Sequence, residues 1–389
     1  MRIGLFTDAY KPYICGVTTS VEMLSKGLRE LGHEVYIICL KPTKNSKEML
    51  DDNYTIRIDG IPIYKNGMKD FRLSFFNRIK VKSLYKYNFD IVHIHTEFSV
   101  GKLGLLYAKK RHVPVIYTSH TLWEEYLSFI AKKLSTYAKK PLVFFIKQIL
   151  KKYTSRSFYT IVPTQKTMNK LLEYGLISNY KIIPTGIDIN SFFKKEEFDN
   201  KISLLRQKHG IFETDFCYLY LGRISKEKNI NLLLETFLKL NRENLVFIIV
   251  GNGLVLDELK EMYSKSNSKN KVIFTGEVLW EEVKYYYHMS DCFLNASTSE
   301  TQGLTYIEAL ASGLPVLVKD DDAIKNLVVD YKNGLIFKDE EELLLKMEEI
   351  CNDLNLRKHL SKNAIKSVEK FSKECYTNNV LNLYETIII

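Results

Sequence analysis

Short apolar runs along the chain alternate with longer stretches in which apolar residues recur every three or four positions. The short runs, such as residues 216–221 and 246–250, predict buried strands, and the longer stretches predict amphipathic helices. A regular alternation of strand and helix is typical of βαβ units with parallel sheets. The pattern therefore predicts an α/β protein built from doubly wound parallel sheets.

The predicted strands are residues 3–6, 35–40, 91–95, 115–118, 159–162 and 181–183 in the first half, and 216–221, 246–250, 272–275, 292–295 and 315–318 in the second. The predicted helices include 18–31, 103–111, 165–174, 230–240, 255–264 and 281–288, and the last residues, 376–389, also have a helical pattern. A chain of 389 residues is too long for one ordinary core, so we expect two domains with a hinge at residues 184–188. Open α/β sheets bind ligands beyond the carboxyl ends of their strands, and we therefore expect the site in the cleft between the domains.

Residues 299–315 carry two glutamates, Glu300 and Glu308, on either side of Gly303. The Gly-x-Pro at the end of this segment is typical of a helix C-terminus. The amides of Gly303 and Leu304 then form a helix N-terminus, which is a ready site for a phosphate. One carboxylate can hold hydroxyls on one side of a diphosphate and the other can hold those on the far side, which fits a nucleotide-sugar. A surface helix with two solvated carboxylates is the alternative interpretation.

Residues 222–229 follow the predicted strand 216–221 and contain two cations, Arg223 and Lys228. Fixed cations at a strand end stabilise the negative charge that a departing diphosphate gains in the transition state. Gly222 permits close approach of the backbone to a ligand. An exposed basic turn before a helix is the alternative.

Two loops of the first half also follow predicted strands. Gly16 lies between the first strand and a helix, where it lets the backbone approach a phosphate. His120 lies at the carboxyl end of the strand 115–118, although an isolated histidine is often structural. His93 and His95 lie on one face of a strand by alternation, and we interpret them as packing and loop-shaping groups.

Charge is divided unevenly along the chain. Residues 1–185 contain 30 Lys and Arg against 14 Asp and Glu, a net charge of +16, whereas residues 186–389 contain 26 against 32, a net charge of −6. This asymmetry indicates that the first half meets an anionic surface, either nucleic acid or acidic lipid, with a compositional bias toward lysine as the alternative. The six cysteines form no close pairs, which indicates reduced thiols in the cytosol. We expect no signal peptide and no membrane-spanning helix.

One segment of the first half is strongly basic. Residues 130–156 contain no acidic residue and eight basic ones: Lys132, Lys133, Lys139, Lys140, Lys147, Lys151, Lys152 and Arg156. Pro141 predicts the start of a helix in which apolar residues and lysines follow separate stripes. A basic amphipathic helix indicates contact with an anionic membrane, to which each cation contributes about 1 kcal/mol. Trp123 and Tyr126, just upstream, suit a lipid interface. A domain helix with a core-facing stripe and solvated lysines is the alternative.

The Glu-x7-Glu segment and the Gly-Arg…Glu-Lys-Asn segment together resemble the retaining nucleotide-sugar glycosyltransferases of the GT-B architecture, family four. Residues 96–99, 120–126 and 299–306 are similar to bacterial diacylglycerol glucosyltransferases, which make monoglucosyldiacylglycerol. The likeness spans nearly the whole chain. It implies an acceptor- and membrane-facing domain at residues 1–190, a nucleotide-sugar donor domain at 191–372 and a C-terminal helix at 373–389 that packs on the first domain.

The resemblance also implies roles for individual residues. The catalytic positions are Arg223, Lys228, Glu300 and His120, and the donor-binding positions are Gly16, Gly222, Gly253, Thr301, Gln302, Gly303, Leu304 and Glu308. The membrane or acceptor positions, which come from the basic amphipathic segment and the aromatic residues before it, are Trp123, Tyr126, Lys139, Lys140, Lys147, Lys151 and Lys152. In these roles Arg223 and Lys228 stabilise the departing UDP. Glu300 holds the sugar hydroxyls, Glu308 binds the ribose and His120 lines the other side of the donor sugar. The family often has two glycines where this chain has Cys15 and Gly16.

We therefore expect a peripheral enzyme at the inner face of the cell membrane that transfers glucose from UDP-glucose to 1,2-diacylglycerol with retention. We expect no cofactor, no obligatory metal and no nucleic-acid partner. Asp320, Asp321 and Asp322 match Asp-x-Asp, but they lie late in the second half and are interpreted as a solvated loop, and no third ligand accompanies His93 and His95. The alternatives are a glycosyltransferase of polysaccharide or lipopolysaccharide synthesis with another acceptor, and a noncatalytic basic protein that binds membrane or nucleic acid.

Overall fold

The computed structural model describes residues 1–42, 52–62, 72–74, 77–123 and 136–388. Within them the chain divides into two compact units. The first unit comprises Met1–Ile187 and Phe371–Ile389, and the second comprises Asp188–Lys370.

The first unit alternates strands and helices. Its described strands are β1 (Arg2–Phe6), β2 (Glu34–Leu40), β3 (Thr55–Ile58), β4 (Ile61–Pro62), β5 (Arg72–Leu73), β6 (Ile91–Ile94), β7 (Val115–Thr118), β8 (Tyr159–Val162) and β9 (Tyr180–Ile182). Its described helices are α1 (Gly16–Glu30), α2 (Asn77–Leu84), α3 (Ser99–Arg111), α4 (Thr136–Thr154), α5 (Gln165–Glu173) and, from the C-terminal segment, α13 (Lys373–Glu385).

The main sheet of the first unit is parallel, in the order β3-β2-β1-β6-β7-β8-β9. Successive side chains of its central strands enter opposite faces, so that Phe6 and Ile94 pack in one core while Leu5 and Ile91 pack in the other. Burial on both faces explains why these strands read as continuous apolar runs in the sequence. The order places the ends of β1, β6 and β7 side by side.

The C-terminal helix α13 packs on α1 inside the first unit. The hydroxyls of Ser20 and Tyr376 are hydrogen-bonded at 2.8 Å across this contact. The helices approach so closely that a Cβ on Gly27 would lie 2.0 Å from Oγ1 of Thr377. This confirms the predicted return of the C-terminal helix to the first domain.

The second unit contains a second parallel sheet, in the order β12-β11-β10-β13-β14-β15. Its strands are β10 (Phe216–Leu221), β11 (Leu245–Val250), β12 (Lys271–Gly276), β13 (Cys292–Asn295), β14 (Val316–Lys319) and β15 (Gly334–Phe337). Its helices are α6 (Asp199–Lys208), α7 (Ile230–Leu240), α8 (Leu256–Ser264), α9 (Trp280–His288), α10 (Leu304–Ala311), α11 (Glu340–Asn352) and α12 (Leu354–Ser367). The strand order reverses between β10 and β13, and such a switch point is where doubly wound sheets bind ligands.

These two sheets confirm the predicted α/β class with doubly wound parallel domains. The predicted helix start at Pro141 is wrong, because α4 begins at Thr136 and Pro141 lies inside it. A proline at an interior position removes one hydrogen bond to the preceding turn, and its ring crowds the carbonyl of residue i−4, so Pro141 is an unfavourable residue within α4. The strands β3 and β15, which lie at sheet edges, were not predicted.

Candidate active site

The loop after β10 carries Arg223 and Lys228. Gly222 adopts φ = 151°, a conformation that side-chain-bearing residues rarely adopt, and its amide donates to the carbonyl oxygen of Val250 at 3.1 Å. The Tyr220 hydroxyl donates to the Arg223 carbonyl oxygen at 2.9 Å. These bonds fix the loop at the carboxyl end of the sheet.

The guanidinium of Arg223 forms an ion pair with Glu227, with 2.7 Å between Nη2 and Oε1. The Ser225 hydroxyl donates to the same oxygen at 2.6 Å. Burial raises the pKa of Glu227, but the donation from Ser225 and the nearby cations outweigh burial and lower the pKa overall. Glu227 is therefore an ionised anchor that orients Arg223.

The glycine loop after β11 packs directly on the Arg223 loop. A Cβ on Gly251 would lie 1.9 Å from the carbonyl oxygen of Gly222, and a Cβ on Gly253 would lie 2.0 Å from that of Ile224. The Ile224 amide also donates to the carbonyl oxygen of Asn252 at 2.9 Å. Gly251 and Gly253 are therefore required, because the two backbones approach too closely for a side chain. The predicted donor-binding positions Gly222 and Gly253 thus lie in adjacent loops.

Lys228 reaches the segment that follows β13. Its Nζ donates to Oε1 of Glu300 at 2.5 Å, although the two residues are 72 positions apart in the chain. Their side chains are 17% and 14% exposed, so solvent screens this pair less than it screens a surface pair. The structure thus brings together two predicted catalytic residues, a cation and a carboxylate, at the switch point of the second sheet.

Helix α10 begins next to Glu300. Gly303 precedes the helix in the left-handed conformation, at φ = 78°, and a Cβ there would lie 2.3 Å from the ring of Tyr306. The first amides of a helix have no intrahelical partner, and the helix dipole favours an anion at this end. Thr301 and the buried Gln302, which are two of the predicted donor-binding positions, lie in the turn between Glu300 and the helix.

Glu308 lies one turn inside α10, with 3% of its surface exposed. The Tyr287 hydroxyl donates to its Oε2 at 2.7 Å. Burial raises the pKa of Glu308 to about 7, and the donation from Tyr287 opposes that rise. Glu308 is therefore held by Tyr287, whereas Glu300 is held by Lys228.

Three histidines cluster at the carboxyl ends of β6 and β7 in the first unit. Nδ1 of His95 lies 3.1 Å from Nε2 of His120, and the two rings are nearly parallel. The ring of His93 packs against that of His95, tilted by 34°, with 4.1 Å between centroids. Burial lowers the pKa of His93 to about 3 and that of His120 to about 4, so the rings are neutral at pH 7.

A buried acidic group beside these histidines was not predicted as a site. The Tyr117 hydroxyl donates to the carboxylate of Glu97, and the Tyr153 hydroxyl donates to the Glu97 carbonyl oxygen at 2.9 Å. Burial raises the pKa of Glu97 to about 7, and donation from Tyr117 and from the Trp123 indole opposes the rise. The sequence signal is the polar segment 96–99 directly after a strand.

Trp123 is half-buried and packs edge-on against Phe98, so its indole contacts protein as well as solvent. Tyr126 lies outside the described residues, as do the side chains of Lys139 and Lys140. Gly16 is the exposed first residue of α1.

Helix α4 is apolar on two sides. Its C-terminal residues Leu150 and Tyr153 are buried in the core of the first unit, whereas Phe144 and Phe145 are 63% and 60% exposed. Three of the five predicted lysines of this helix have described side chains, and these three differ in their surroundings. Lys147 lies over the ring of Tyr174 at 4.7 Å, Lys151 is exposed, and Lys152 has a pKa that burial and the neighbouring Arg156 and Lys102 lower.

The Asp-x-Asp match lies in the turn after β14. Asp321 accepts from the Ala323 amide at 2.8 Å, and Asp322 pairs with Lys325. Among the described residues, no group of three His, Cys, Asp or Glu side chains is arranged to hold a metal ion. In the same residues, no helix is both long and apolar enough to cross a bilayer.

Known proteins match both halves of the chain. Residues 14–191 match Glycosyltransferase Family 4, and residues 201–367 match Glycosyl transferases group 1. An alpha-monoglucosyldiacylglycerol synthase of Acholeplasma laidlawii is 40% identical over 390 residues, covering 100% of this chain and 98% of that protein. The chain belongs to the family 4 (group 1) glycosyltransferases. A synthase of the same name from Streptococcus pneumoniae is 36% identical to this glycosyltransferase, covering 88% of this chain and 76% of that protein.

Solved structures share the fold of this glycosyltransferase. Anabaena HepE in complex with UDP and glucose superposes with a TM-score of 0.76 at 16% identity, covering 99% of this chain and 100% of that chain. Sucrose-phosphate synthase from Thermosynechococcus elongatus superposes with a TM-score of 0.79 at 18% identity, covering 99% and 98%. These identities show the fold alone, and the predicted GT-B architecture is confirmed. The two synthases confirm the predicted resemblance to bacterial diacylglycerol glucosyltransferases.

Proposed function

We propose that this glycosyltransferase transfers glucose from UDP-glucose to 1,2-diacylglycerol with retention of configuration. The observation that carries the proposal is the cation–carboxylate pair of Lys228 and Glu300 beside the start of α10. At this position a cation and the first amides of α10 can bind a diphosphate, and a carboxylate beside them can bind the hydroxyls of an attached sugar ring. The names of the two synthases support glucose and diacylglycerol as the transferred group and the acceptor.

The donor is proposed to bind through complementary charges. Arg223, Lys228 and the amides of Gly303 and Leu304 stabilise the diphosphate. Because the leaving UDP gains negative charge as the glycosidic bond breaks, these groups bind the transition state more tightly than the ground state.

Carboxylates and neutral groups are proposed to hold the sugars of the donor. Glu300 accepts from hydroxyls of the glucose, and Glu308 accepts from the ribose. His120 contacts the transferred glucose through a neutral imidazole.

The reaction is proposed to occur on one face of the sugar. The bond from the anomeric carbon to the phosphate oxygen breaks, and a bond from the same carbon to the acceptor oxygen forms. The proton of the acceptor hydroxyl passes to the departing phosphate oxygen, so the step needs no separate base. UDP and the glucolipid are the products.

Helix α4 is proposed to contact an anionic membrane surface. Its exposed Phe144 and Phe145 offer apolar area, and the exposed Lys151 offers a cation on the same helix. The buried Leu150 and Tyr153 anchor the other end of the helix in the first unit. The exposed phenylalanines therefore support membrane contact, and the buried C-terminal residues support a domain helix that faces the core.

Radiolabelled UDP-glucose, supplied with vesicles of phosphatidylglycerol and 1,2-diacylglycerol, tests the proposal. We expect label in a chloroform-soluble lipid whose anomeric proton coupling identifies an α-glucoside. UDP-galactose and UDP-N-acetylglucosamine serve as competing donors, and vesicles without diacylglycerol serve as the acceptor control. Label that appears only in free glucose, or in lipid regardless of diacylglycerol, contradicts the proposal.

A further inference from the structure

The contact between His95 and His120 restricts which nitrogens carry protons. His95 is 1% exposed, and its Nδ1 lies 3.1 Å from Nε2 of His120. Burial keeps both rings neutral by lowering their pKa values, so each ring has one N–H. One of the two facing nitrogens must therefore donate and the other must accept.

The second nitrogen of His95 decides between the two arrangements. Nε2 of His95 is buried and has no hydrogen-bond partner among the described residues. If His120 donated to Nδ1 of His95, the proton of His95 would lie on Nε2 and would be a buried donor without a partner. If His95 donates from Nδ1, its Nε2 is only an unfilled acceptor, which is less unfavourable than an orphaned donor.

The second arrangement leaves His120 with its proton on Nδ1. No hydrogen bond of the described residues involves this nitrogen, and it is not among their buried unpaired atoms. His120 as a residue is partly exposed, so Nδ1 faces solvent at the carboxyl end of β7.

The neighbouring groups hold His95 in place. The ring of His93, which packs against His95, is hydrogen-bonded at both nitrogens, to the Tyr384 hydroxyl at 2.7 Å and to Oγ1 of Thr118 at 2.7 Å. Because Tyr384 lies on the C-terminal helix α13, that helix supports the ring against which His95 packs.

We propose that His95 is a positioning residue that holds His120 in the Nδ1–H tautomer, so that His120 presents a hydrogen-bond donor to an oxygen of the transferred sugar. The sugar contact rests on the proposed function, whereas the tautomer does not. A neutral N–H donor suits a hydroxyl or ring oxygen, and it adds no positive charge near the acceptor.

Nitrogen NMR of the full chain labelled with ¹⁵N-histidine tests the tautomer without any substrate. The resonance of His120 is assigned by its loss in His120→Asn. We expect a protonated Nδ1 and an unprotonated Nε2 at pH 7. A protonated Nε2, or fast averaging of the two nitrogens, overturns the proposal whether or not the enzyme uses UDP-glucose.

Two substitutions test the role of His95. His95→Leu removes the donor, and we expect a mixture of His120 tautomers and a loss of about tenfold in kcat/KM, the equivalent of one hydrogen bond. His95→Asn places an amide N–H near the position of Nδ1, and we expect it to restore the single tautomer and most of the activity. If His95→Leu retains the wild-type tautomer, or if folded His95→Asn fails to restore it, the proposal is wrong.

Discussion

Both units place titratable side chains at the carboxyl ends of their sheets, but these groups are in different states. In the second unit, Lys228 pairs with Glu300 and Arg223 pairs with Glu227, so these four groups are ionised, and all but the buried Glu227 are partly exposed. Glu308 of the same unit is buried, and burial raises its pKa to about 7. In the first unit, the three histidines are neutral; His93 and His95 are buried, and His120 is partly exposed. A carboxyl group there, Glu97, has a pKa raised to about 7 by burial.

This difference corresponds to the chemistry of the proposed substrates. A diphosphate is charged and gains charge in the transition state, which ionised groups stabilise. A sugar hydroxyl and a lipid hydroxyl are neutral, and neutral donors and acceptors bind them without the penalty of an unpaired buried charge. In the proposed function, the ion pairs that meet the diphosphate all belong to the second unit, whose Glu300 and Glu308 also accept from hydroxyls, whereas the histidine cluster of the first unit offers only neutral groups.

Removal of Arg223 gives the largest expected effect. In Arg223→Ala, kcat is expected to fall about 100-fold or more, with a smaller change in KM for UDP-glucose, because the lost stabilisation belongs to the leaving group. The measurement is initial rate against UDP-glucose concentration. Lys226→Ala is the matched control, since Lys226 is an exposed cation of the same loop that pairs with Glu258. A loss confined to KM, or an equal loss in the control, contradicts the assigned role.

The packing of the two glycine loops is tested by Gly253→Ala. The added Cβ meets the Ile224 carbonyl oxygen, so we expect the second unit to lose about 1–3 kcal/mol of unfolding free energy and to lose turnover. Urea unfolding is followed by the fluorescence of Trp280 in a Trp123→Phe background. Gly175→Ala in the first unit, where a Cβ meets open space at φ = 73°, is expected to cost about 1–2 kcal/mol and to leave turnover unchanged. Its unfolding is followed by the fluorescence of Trp123 in a Trp280→Phe background. Normal turnover in Gly253→Ala would show that the loops tolerate displacement.

The buried state of Glu97 predicts a pH dependence of stability in the first unit. The pKa of Glu97 is near 7 in the folded state and about 4.5 in the unfolded state. Between pH 4.5 and 7, Glu97 therefore keeps its proton in the folded state and has lost it in the unfolded state. Stability therefore falls as pH rises from 4.5 to 7, by up to about 1.4 kcal/mol per pH unit. Glu97→Gln is expected to remove this component.

Trp123 fluorescence during urea unfolding, in a Trp280→Phe background, measures that change. Asp8, whose pKa burial also raises, and the three histidines titrate in both proteins. The difference between wild type and Glu97→Gln therefore isolates Glu97. Parallel curves for the two proteins from pH 4.5 to 7 count against a protonated Glu97.

Membrane contact by α4 gives the smallest expected effect. Lys151→Gln is expected to weaken binding to phosphatidylglycerol vesicles about fivefold, the equivalent of about 1 kcal/mol for one cation. Vesicle co-sedimentation at 0.15 M salt measures it. Lys110→Gln removes an equally exposed cation from α3 and is the matched control. An equal loss in both variants means that net charge, and not this helix, determines binding.

The sequence predicted the central strands of both sheets to within about one residue, because residues buried on two faces form continuous apolar runs. Edge strands such as Thr55–Ile58 were missed, since they are short and only partly buried. The sequence predicted which glycines and charged residues of the second unit belong to the candidate site. Their pairing was not, because Lys228 and Glu300 are far apart in the chain and only the fold brings them together. The segment 96–99 after a strand indicates a polar site, but it does not reveal the burial that raises the pKa of Glu97.

Titration of UDP measures donor binding by the proposed diphosphate site without an acceptor or a membrane. Isothermal calorimetry compares wild type with Lys228→Met and with the control Lys226→Met. We expect UDP to bind wild type and the control equally and to bind Lys228→Met at least about tenfold more weakly, because a charge-assisted contact is lost. Equal affinity for all three proteins, or no binding to wild type, would contradict the proposed diphosphate site.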